Sequence, residues 1–436
     1  MENESVKVEK ICVVIMKGKL KVEVSIQITF IIASNLLMPR VIRIINRLNL
    51  GGPTYNAAYL TKYLAPEFET LLIAGVKKES EESSEFILKQ LEVEPLIILE
   101  MSRELSPLRD VIAYKKISAV IKKFKPDIVH THAAKAGALG RVAAIRNKVP
   151  VLVHTFHGHF FHSYFSSFKT KVFADIERFL AKRCEAIIAL SETQKHEIGT
   201  VYKICEPEKI RVVPLGFDLS RFDADRDEKR KKFREKYSLA EDEVAIGIIG
   251  RMVPVKNHSL FIKALKSVLE KTSLGIKAFI IGDGEERSKM ELLASQCAIE
   301  FSLPEKNNPS AKLVFTSWMK DVDLAVAGLD IIAMTSLNEG TPVSLIEAQA
   351  GSKPIVATAV GGIEDVVIPN ETALLSPSED VEAFAENMLK LVEDKMLREK
   401  MQTKGKEFVM NRFSYQRLTN DMAKLYRELL NKHRIG

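Results

Sequence analysis

Residues 244–271 read VAIGIIGRMVPVKNHSLFIKALKSVLEK. The opening VAIGIIG is an apolar run of strand length. The loop RMVPVKN that follows holds two cations, Arg251 and Lys256. SLFIKALKSVLEK then repeats its apolar residues at helical spacing, which predicts a helix from near Asn257. Strand, short loop and helix form the first part of a βαβ unit, the building block of parallel sheets. Both cations therefore fall at the carboxyl end of a strand, beside a helix N-terminus that favours anions. Taken alone, the pair is equally compatible with an ordinary surface loop.

The same alternation runs downstream. IKAFIIG (276–282), KLVFT (312–316), DIIAM (330–334), PIVAT (354–358) and TALLS (372–376) are strand-like, with helical segments such as EERSKMELLASQ (285–296) between several of them. SLPEKNNPSA (302–311) reads as a polar loop. Upstream lies a first series: VIRII (41–45), TLLIAG (70–75), PLIIL (95–99), DIVHTH (127–132), VLVHTF (151–156) and AIIAL (186–190). NAAYLTKYL (56–64), SPLRDVIAYKKISAVIKKF (106–124) and KTKVFADIERFLAKR (169–183) supply helical spacing between strands. The two series meet where VPLGFDLSRF (213–222) reads as a loop. RDEKRKKFREK (226–236), with seven basic and three acidic residues, reads as a solvated helix. The expected class is α/β, with two Rossmann-like domains at 38–220 and 221–410. The amphipathic ending FSYQRLTNDMAKLYRELL (413–430) is expected to be helical, and 411–436 to return to the N-terminal domain.

Composition sets bounds. A chain of 436 residues, 46% hydrophobic and 28% charged, suits two soluble domains. No apolar run reaches the roughly 18 residues of a membrane span. A net charge of +7 is too mild and scattered to point to nucleic acid. It fits anionic substrates or an anionic membrane surface. Cys12, Cys184, Cys205 and Cys297 lie far apart with no C-x-x-C, which opposes a structural zinc or a disulfide framework and points to a cytoplasmic setting. Residues 1–37 differ from the rest: KLKVEVSIQITF (19–30) alternates like a strand without an obvious partner. Met38 directly precedes the first βα pattern and is a candidate natural start; a genuine extension is the alternative.

The second pair of polar residues lies in SLNEGTPVSLIEAQA (336–350), after the strand-like DIIAM. Glu339 is in the loop, and Glu347 lies in a helix predicted to open near Val343. Gly340, Thr341 and Pro342 permit a tight turn. The amides of Val343 and Ser344 would then face a cleft at the helix N-terminus. Carboxylates there suit sugar hydroxyls and need partners if buried; a structural pairing of Glu347 with a nearby base is the alternative. Gly51-Gly52 follow the first strand and allow close approach of backbone to phosphate. Six of the nine histidines fall within 130–162 (His130, His132, His154, His157, His159 and His162), matching no zincin pattern. Asp321-Val322-Asp323 has the form of a metal-binding D-x-D, but a helix cap at Asp321 is the simpler reading. No G-x-G-x-x-G follows a strand, which disfavours a dinucleotide dehydrogenase.

R-x4-K, E-x7-E, the early diglycine loop and GGIEDVV (361–367), in that order, resemble the family-4 glycosyltransferases of the GT-B fold. The likeness covers residues 39–431. VHTHAAKAGALGR (129–141) and HTFHGHFFHSYFSSFKT (154–170) resemble bacterial members that assemble surface polysaccharide. The resemblance implies two Rossmann-like domains facing each other across a cleft. It implies a nucleotide sugar, UDP-linked by expectation, as co-substrate, with no cofactor and no metal. Arg251 and Lys256 match the diphosphate clamp, Glu339 the acid that holds the donor sugar, and Glu347 the acid on the ribose. Gly52 matches the closing loop and His132 the histidine near the sugar. Trp318 and Met319 fall in the stretch expected near the base, and His157 and His159 in the acceptor cleft. Pro342 stands where many members have glycine. The implied activity is retaining transfer to a saccharide or polyprenyl-linked saccharide. FFHSYFSSFKTK (160–171) fits either contact with an anionic membrane at its inner face or a packed loop and helix. A sugar-nucleotide epimerase of the same architecture and a non-catalytic nucleotide-sugar-binding subunit are the alternatives.

Overall fold

The computed structural model describes residues 38–49, 51–76, 84–102, 104, 106–157, 167–306 and 308–435, with the backbone of 14–16 and 19–21. β1 (Val14–Met16) and β2 (Lys19–Lys21) pair antiparallel, with Ile15 opposite Leu20. The start of KLKVEVSIQITF thus has a partner that its sequence did not reveal. The remainder of that stretch lies outside the described residues.

The first domain is built on β3 (Arg40–Ile45), β4 (Glu69–Ala74), β5 (Leu96–Ile97), β6 (Ile128–His132), β7 (Val151–Thr155), β8 (Ala186–Ala189) and β9 (Ile210–Val212). These are parallel, in the order β5-β4-β3-β6-β7-β8-β9. The second is built on β10 (Val244–Ile249), β11 (Ile276–Ile281), β12 (Phe301–Ser302), β13 (Leu313–Ser317), β14 (Ile331–Met334), β15 (Ile355–Thr358) and β16 (Ala373–Ser376). Its order is β12-β13-β11-β10-β14-β15-β16, again parallel. The central strands are buried along nearly their whole length because helices cover both faces of each sheet. In β11 even Lys277 is buried, its Nζ donating to the carbonyls of Tyr237 and Pro309 at 3.0 and 2.9 Å.

Four elements depart from the sequence reading. β9 and β12 are edge strands of three and two residues, too short for a period to register. The helix Ala134–Arg146 was not predicted, since AKAGALGRVAAIR has small residues rather than a bulky apolar stripe. Ala136, Ala143 and Ala144 are fully buried, so the helix lies close to the sheet. Arg226–Lys236 is a helix, but not simply a solvated one. Phe233 is fully buried, and Arg230 and Arg234 reach Asp330 at 2.8 and 3.3 Å. Asp330 also accepts from the Ala245 amide at 2.8 Å, which ties this helix to the base of β10 and β14.

The chain crosses between domains twice, and the crossings touch. Phe217 donates its amide to the Phe413 carbonyl at 2.8 Å, and Tyr415 donates to the Phe217 carbonyl at 3.0 Å. The last helix, Tyr415–Ile435, then buries Leu418, Met422, Tyr426 and Leu429 in a core shared with Val41, Leu60, Val151 and Val153 of the first domain.

Candidate active site

Each sheet has one place where the connections leave in opposite directions. In the first domain it lies between β3 and β6, and in the second between β10 and β14. Crevices open at the carboxyl ends of such strand pairs. The loop after β3 ends at Gly51, Gly52 opens the helix Gly52–Tyr63, and β6 ends at His132. The loop after β10 carries Arg251 and Lys256, and the loop after β14 carries Glu339.

Lys256 and Glu339 meet. Lys256 closes the short 3₁₀ turn Pro254–Lys256, ahead of the helix His258–Lys271, and its Nζ forms an ion pair with Glu339 Oε1. Ser336 Oγ donates to the same carboxylate oxygen. Two hydrogen bonds to backbone carbonyls fix the loops together: Leu337 N to Val255 O at 2.8 Å, and Thr335 Oγ1 to Lys256 O at 2.9 Å. GGIEDVV lies against the Glu339 loop. Gly361 has φ of +51°, and a Cβ there would lie 2.1 Å from the Glu339 carbonyl. A Cβ on Gly362 would lie 1.7 Å from the Gly340 carbonyl. No side chain fits at either position.

Arg251 stands apart from Lys256. Its side chain is exposed and its Nη2 is 3.4 Å from Glu285. Glu285 belongs to the loop after β11, which sequence reasoning passed over. That loop is bound to the Arg251 loop by Met252 N to Asp283 O at 3.0 Å. Asp283 accepts from Ser317 Oγ at 2.6 Å, next to Trp318. The signal was legible as G-D-G (282–284) closing the strand IKAFII. Trp318 is exposed and Met319 half-buried, both following β13 on the same edge of the sheet.

The helix Val343–Ala350 opens with Pro342 at its N-cap position and no side-chain cap, so Thr341, Val343 and Ser344 sit at an uncapped N-terminus. Glu347 lies on its second turn, 3.4 Å from Arg221 Nη2. Burial pushes the Glu347 carboxyl up to about 7; Arg221 opposes the shift and Asp323 adds to it. Tyr55, from the first domain's helix Gly52–Tyr63, lies close enough that burial first, then the Glu347 charge, raises its hydroxyl pKa, while Arg221 lowers it. Arg221 and Tyr55 carried no motif that would single them out. Asp321 sits at the N-cap of Val322–Gly328 without a side-chain cap bond, contrary to expectation, and Asp323 pairs instead with Lys229 at 2.8 Å.

On the first domain, Gly51 adopts φ of +157° at the start of the helix Gly52–Tyr63. His132 is fully buried, with Nδ1 2.9 Å from His157 Nε2. His157 is half-buried against His132, and His159 lies outside the described residues. His130 bonds Tyr426 Oη at 2.6 Å and Thr155 Oγ1 at 2.7 Å. Burial drives His130, His132 and His154 well below the usual histidine range and His157 down to about 3. All four are therefore neutral at pH 7. One ring of the His132–His157 pair must donate to the other. Of the two remaining buried nitrogens, His132 Nε2 and His157 Nδ1, one is then a donor and the other an acceptor, and neither has a hydrogen-bond partner among the described residues. Among the described residues no group of three or more His, Cys, Asp or Glu is arranged to hold a metal ion. Across the cleft, Thr193 Oγ1 donates to Asp365 Oδ1 at 3.2 Å.

Comparison with known proteins agrees with this fold. Residues 229–408 match the family model "Glycosyl transferases group 1", and residues 50–221 match "Glycosyltransferase Family 4". The chain is 28% identical over 331 residues to the UDP-Gal:alpha-D-GlcNAc-diphosphoundecaprenol alpha-1,3-galactosyltransferase of Escherichia coli, covering 76% of this chain and 82% of that protein. It is 27% identical over 353 residues to the capsular polysaccharide biosynthesis glycosyltransferase CapM of Staphylococcus aureus, covering 79% and 88%. In three dimensions it is similar to Anabaena HepE in complex with UDP, with a TM-score of 0.73 and 17% identity over 89% of this chain and 100% of that one. The two matched halves, the two parallel sheets and the paired switch-point loops together make this chain a glycosyltransferase of family 4 with the GT-B fold.

Proposed function

We propose that the chain transfers a sugar, with retention of anomeric configuration, from a UDP-sugar to a saccharide or lipid-linked saccharide acceptor in polysaccharide biosynthesis. The observation that carries this reading is the convergence of Lys256 and Glu339 at the switch point of the second sheet. A diphosphate entering there would replace Glu339 as the counter-charge of Lys256 and free the carboxylate for the sugar's hydroxyls. Arg251, exposed on the adjoining loop, would close on the same diphosphate. The neutral His132–His157 pair offers a donor or acceptor nitrogen to a sugar hydroxyl and supplies no acidic proton.

The chemistry follows from these positions. The bond from sugar C1 to the leaving phosphate oxygen breaks first, and Lys256 and Arg251 offset the charge that develops on the diphosphate. The acceptor hydroxyl attacks C1 from the face the phosphate leaves. Its proton passes to the departing phosphate oxygen, so the new C1–O bond keeps the original configuration. Two protein cations supply the charge that this step requires. Domain closure over Gly51-Gly52 would exclude water.

The relatives' names support transfer over epimerisation and support UDP and an undecaprenyl-linked acceptor. Among the described residues no helix is long and apolar enough to cross a membrane. Contact with an anionic membrane surface at its inner face is supported by the helix Ser167–Ala181, whose solvent side carries Val172, Ile176 and Phe179, the last 62% exposed, beside Lys171, Lys182 and Arg183.

The test is acceptor-dependent release of UDP from a panel of UDP-sugars, with NMR of the product's anomeric proton. Release of UDP with an inverted linkage overturns retention. An altered sugar nucleotide without transfer overturns transferase activity in favour of epimerisation.

A further inference from the structure

Arg221 is held from two sides. It lies in the short helix Ser220–Asp223, directly after the chain leaves the first domain. Its guanidinium sits 4.8 Å over the ring of Phe222, which is buried. Its carbonyl accepts from Lys229 Nζ at 2.6 Å, and Lys229 is itself paired with Asp323. So fixed, Arg221 Nη2 points at Glu347 Oε1 at 3.4 Å. The groups facing Glu347 come from three elements. They are Arg221 on the linker, Asp323 on the helix Val322–Gly328, and Tyr55 on the helix Gly52–Tyr63. Arg221 is the positive charge among them.

We propose that Arg221 is a positioning residue for the donor nucleotide: it engages one oxygen of the Glu347 carboxylate and leaves the other for the ribose hydroxyls. This rests on the nucleotide-sugar reading above. Because Arg221 is half-exposed, the ion pair contributes little to folding. Its effect falls on Glu347, which burial already holds near neutrality. Without Arg221 the carboxyl faces Asp323 and Tyr55 alone, and burial then favours its protonated form at pH 7. The ribose would lose a charged, oriented acceptor. Because Arg221 belongs to the linker and Tyr55 to the first domain, donor binding would also register how the two domains sit on each other.

The experiment is calorimetric titration with UDP between about pH 6 and pH 9, a range that brackets the Glu347 transition. It compares the wild type with Arg221→Gln, Arg221→Lys, Glu347→Gln and the Arg221→Gln/Glu347→Gln double variant. Arg221→Gln is expected to weaken UDP binding about tenfold at pH 7, the size of one charge-assisted hydrogen bond. The loss should shrink toward pH 9, as Glu347 ionises without help. Arg221→Lys should restore most of the affinity. In the Glu347→Gln background, Arg221→Gln should cost nothing further. A loss that is the same at every pH, or that adds fully in the double variant, overturns the proposal. So does unchanged UDP binding by Arg221→Gln, which leaves the nucleotide-sugar reading standing. Failure of the wild type to bind UDP overturns that reading and this inference with it.

Discussion

Lys256 and Glu339 satisfy each other, and this sets what their substitutions should do. Lys256→Ala removes the charge that stabilises the leaving diphosphate, so kcat should fall by about 10²-fold or more. Steady-state UDP release measures it; a change within a few-fold removes Lys256 from the clamp. Glu347 makes a separate prediction. Its carboxyl lies near 7 in the fold, against 4.5 for an unperturbed glutamate, so the folded chain holds this proton more tightly than the unfolded one. Stability from this group is full below about pH 4.5 and is lost as pH rises to about 7, by about 3 kcal/mol at most. The buried histidines act in the opposite sense. Unfolded imidazoles take up protons below about pH 6.5 while the folded ones resist, so their contribution is lost as pH falls from there. Melting curves of wild type against Glu347→Gln, taken from about pH 4.5 to 7.5, isolate the glutamate. The variant should gain relative stability as pH rises, and a pH-independent difference would remove the buried-proton account.

Among the elements, the contact of GGIEDVV with the Glu339 loop leaves no room for a methyl group. Gly362→Ala would set its Cβ 1.7 Å from the Gly340 carbonyl, and clearing that contact requires the Glu339 loop to shift by about 1 Å. Misplacement on that scale costs about 10²-fold in rate, so kcat/KM should drop far more than the melting temperature. The helix Arg226–Lys236 makes a stability prediction. Asp330→Ala strips Arg230 and Arg234 of their carboxylate and leaves the Ala245 amide unpaired. A loss of about 3 kcal/mol is expected in urea denaturation, because partly buried arginines are left without their counter-charge. The RDEKRKKFREK stretch shows why its sequence misled. Charge density there reads as solvation, and the carboxylate that recruits two of its arginines lies about a hundred residues downstream.

At the scale of the whole molecule, the last helix belongs to the first domain's core although it follows the second domain in sequence. Tyr426 joins it to the buried His130, and through His130 to Thr155 at the end of β7. Tyr426→Phe should cost about 1 kcal/mol of stability, one buried hydrogen bond, readable by thermal denaturation. The strand-helix alternation was legible because parallel sheets bury both faces, so each central strand announces itself as an apolar run. Chemistry-bearing loops were legible too, since polar residues directly after such runs have a strand end to sit on. The short edge strands and the small-residue helix Ala134–Arg146 were not, because neither carries a periodic apolar signal. By itself the sequence determined the α/β class, the two-domain division and the positions of Arg251, Lys256, Glu339 and Glu347 at strand ends and a helix start. Only the tertiary structure decided which of them touch. It paired Lys256 with Glu339 and gave Glu347 to Arg221, set Arg251 beside Glu285, and buried the histidines as neutral rings. Strand order, which local periodicity does not encode, brings β10 beside β14 and β3 beside β6, and side chains far apart in the chain become neighbours for that reason.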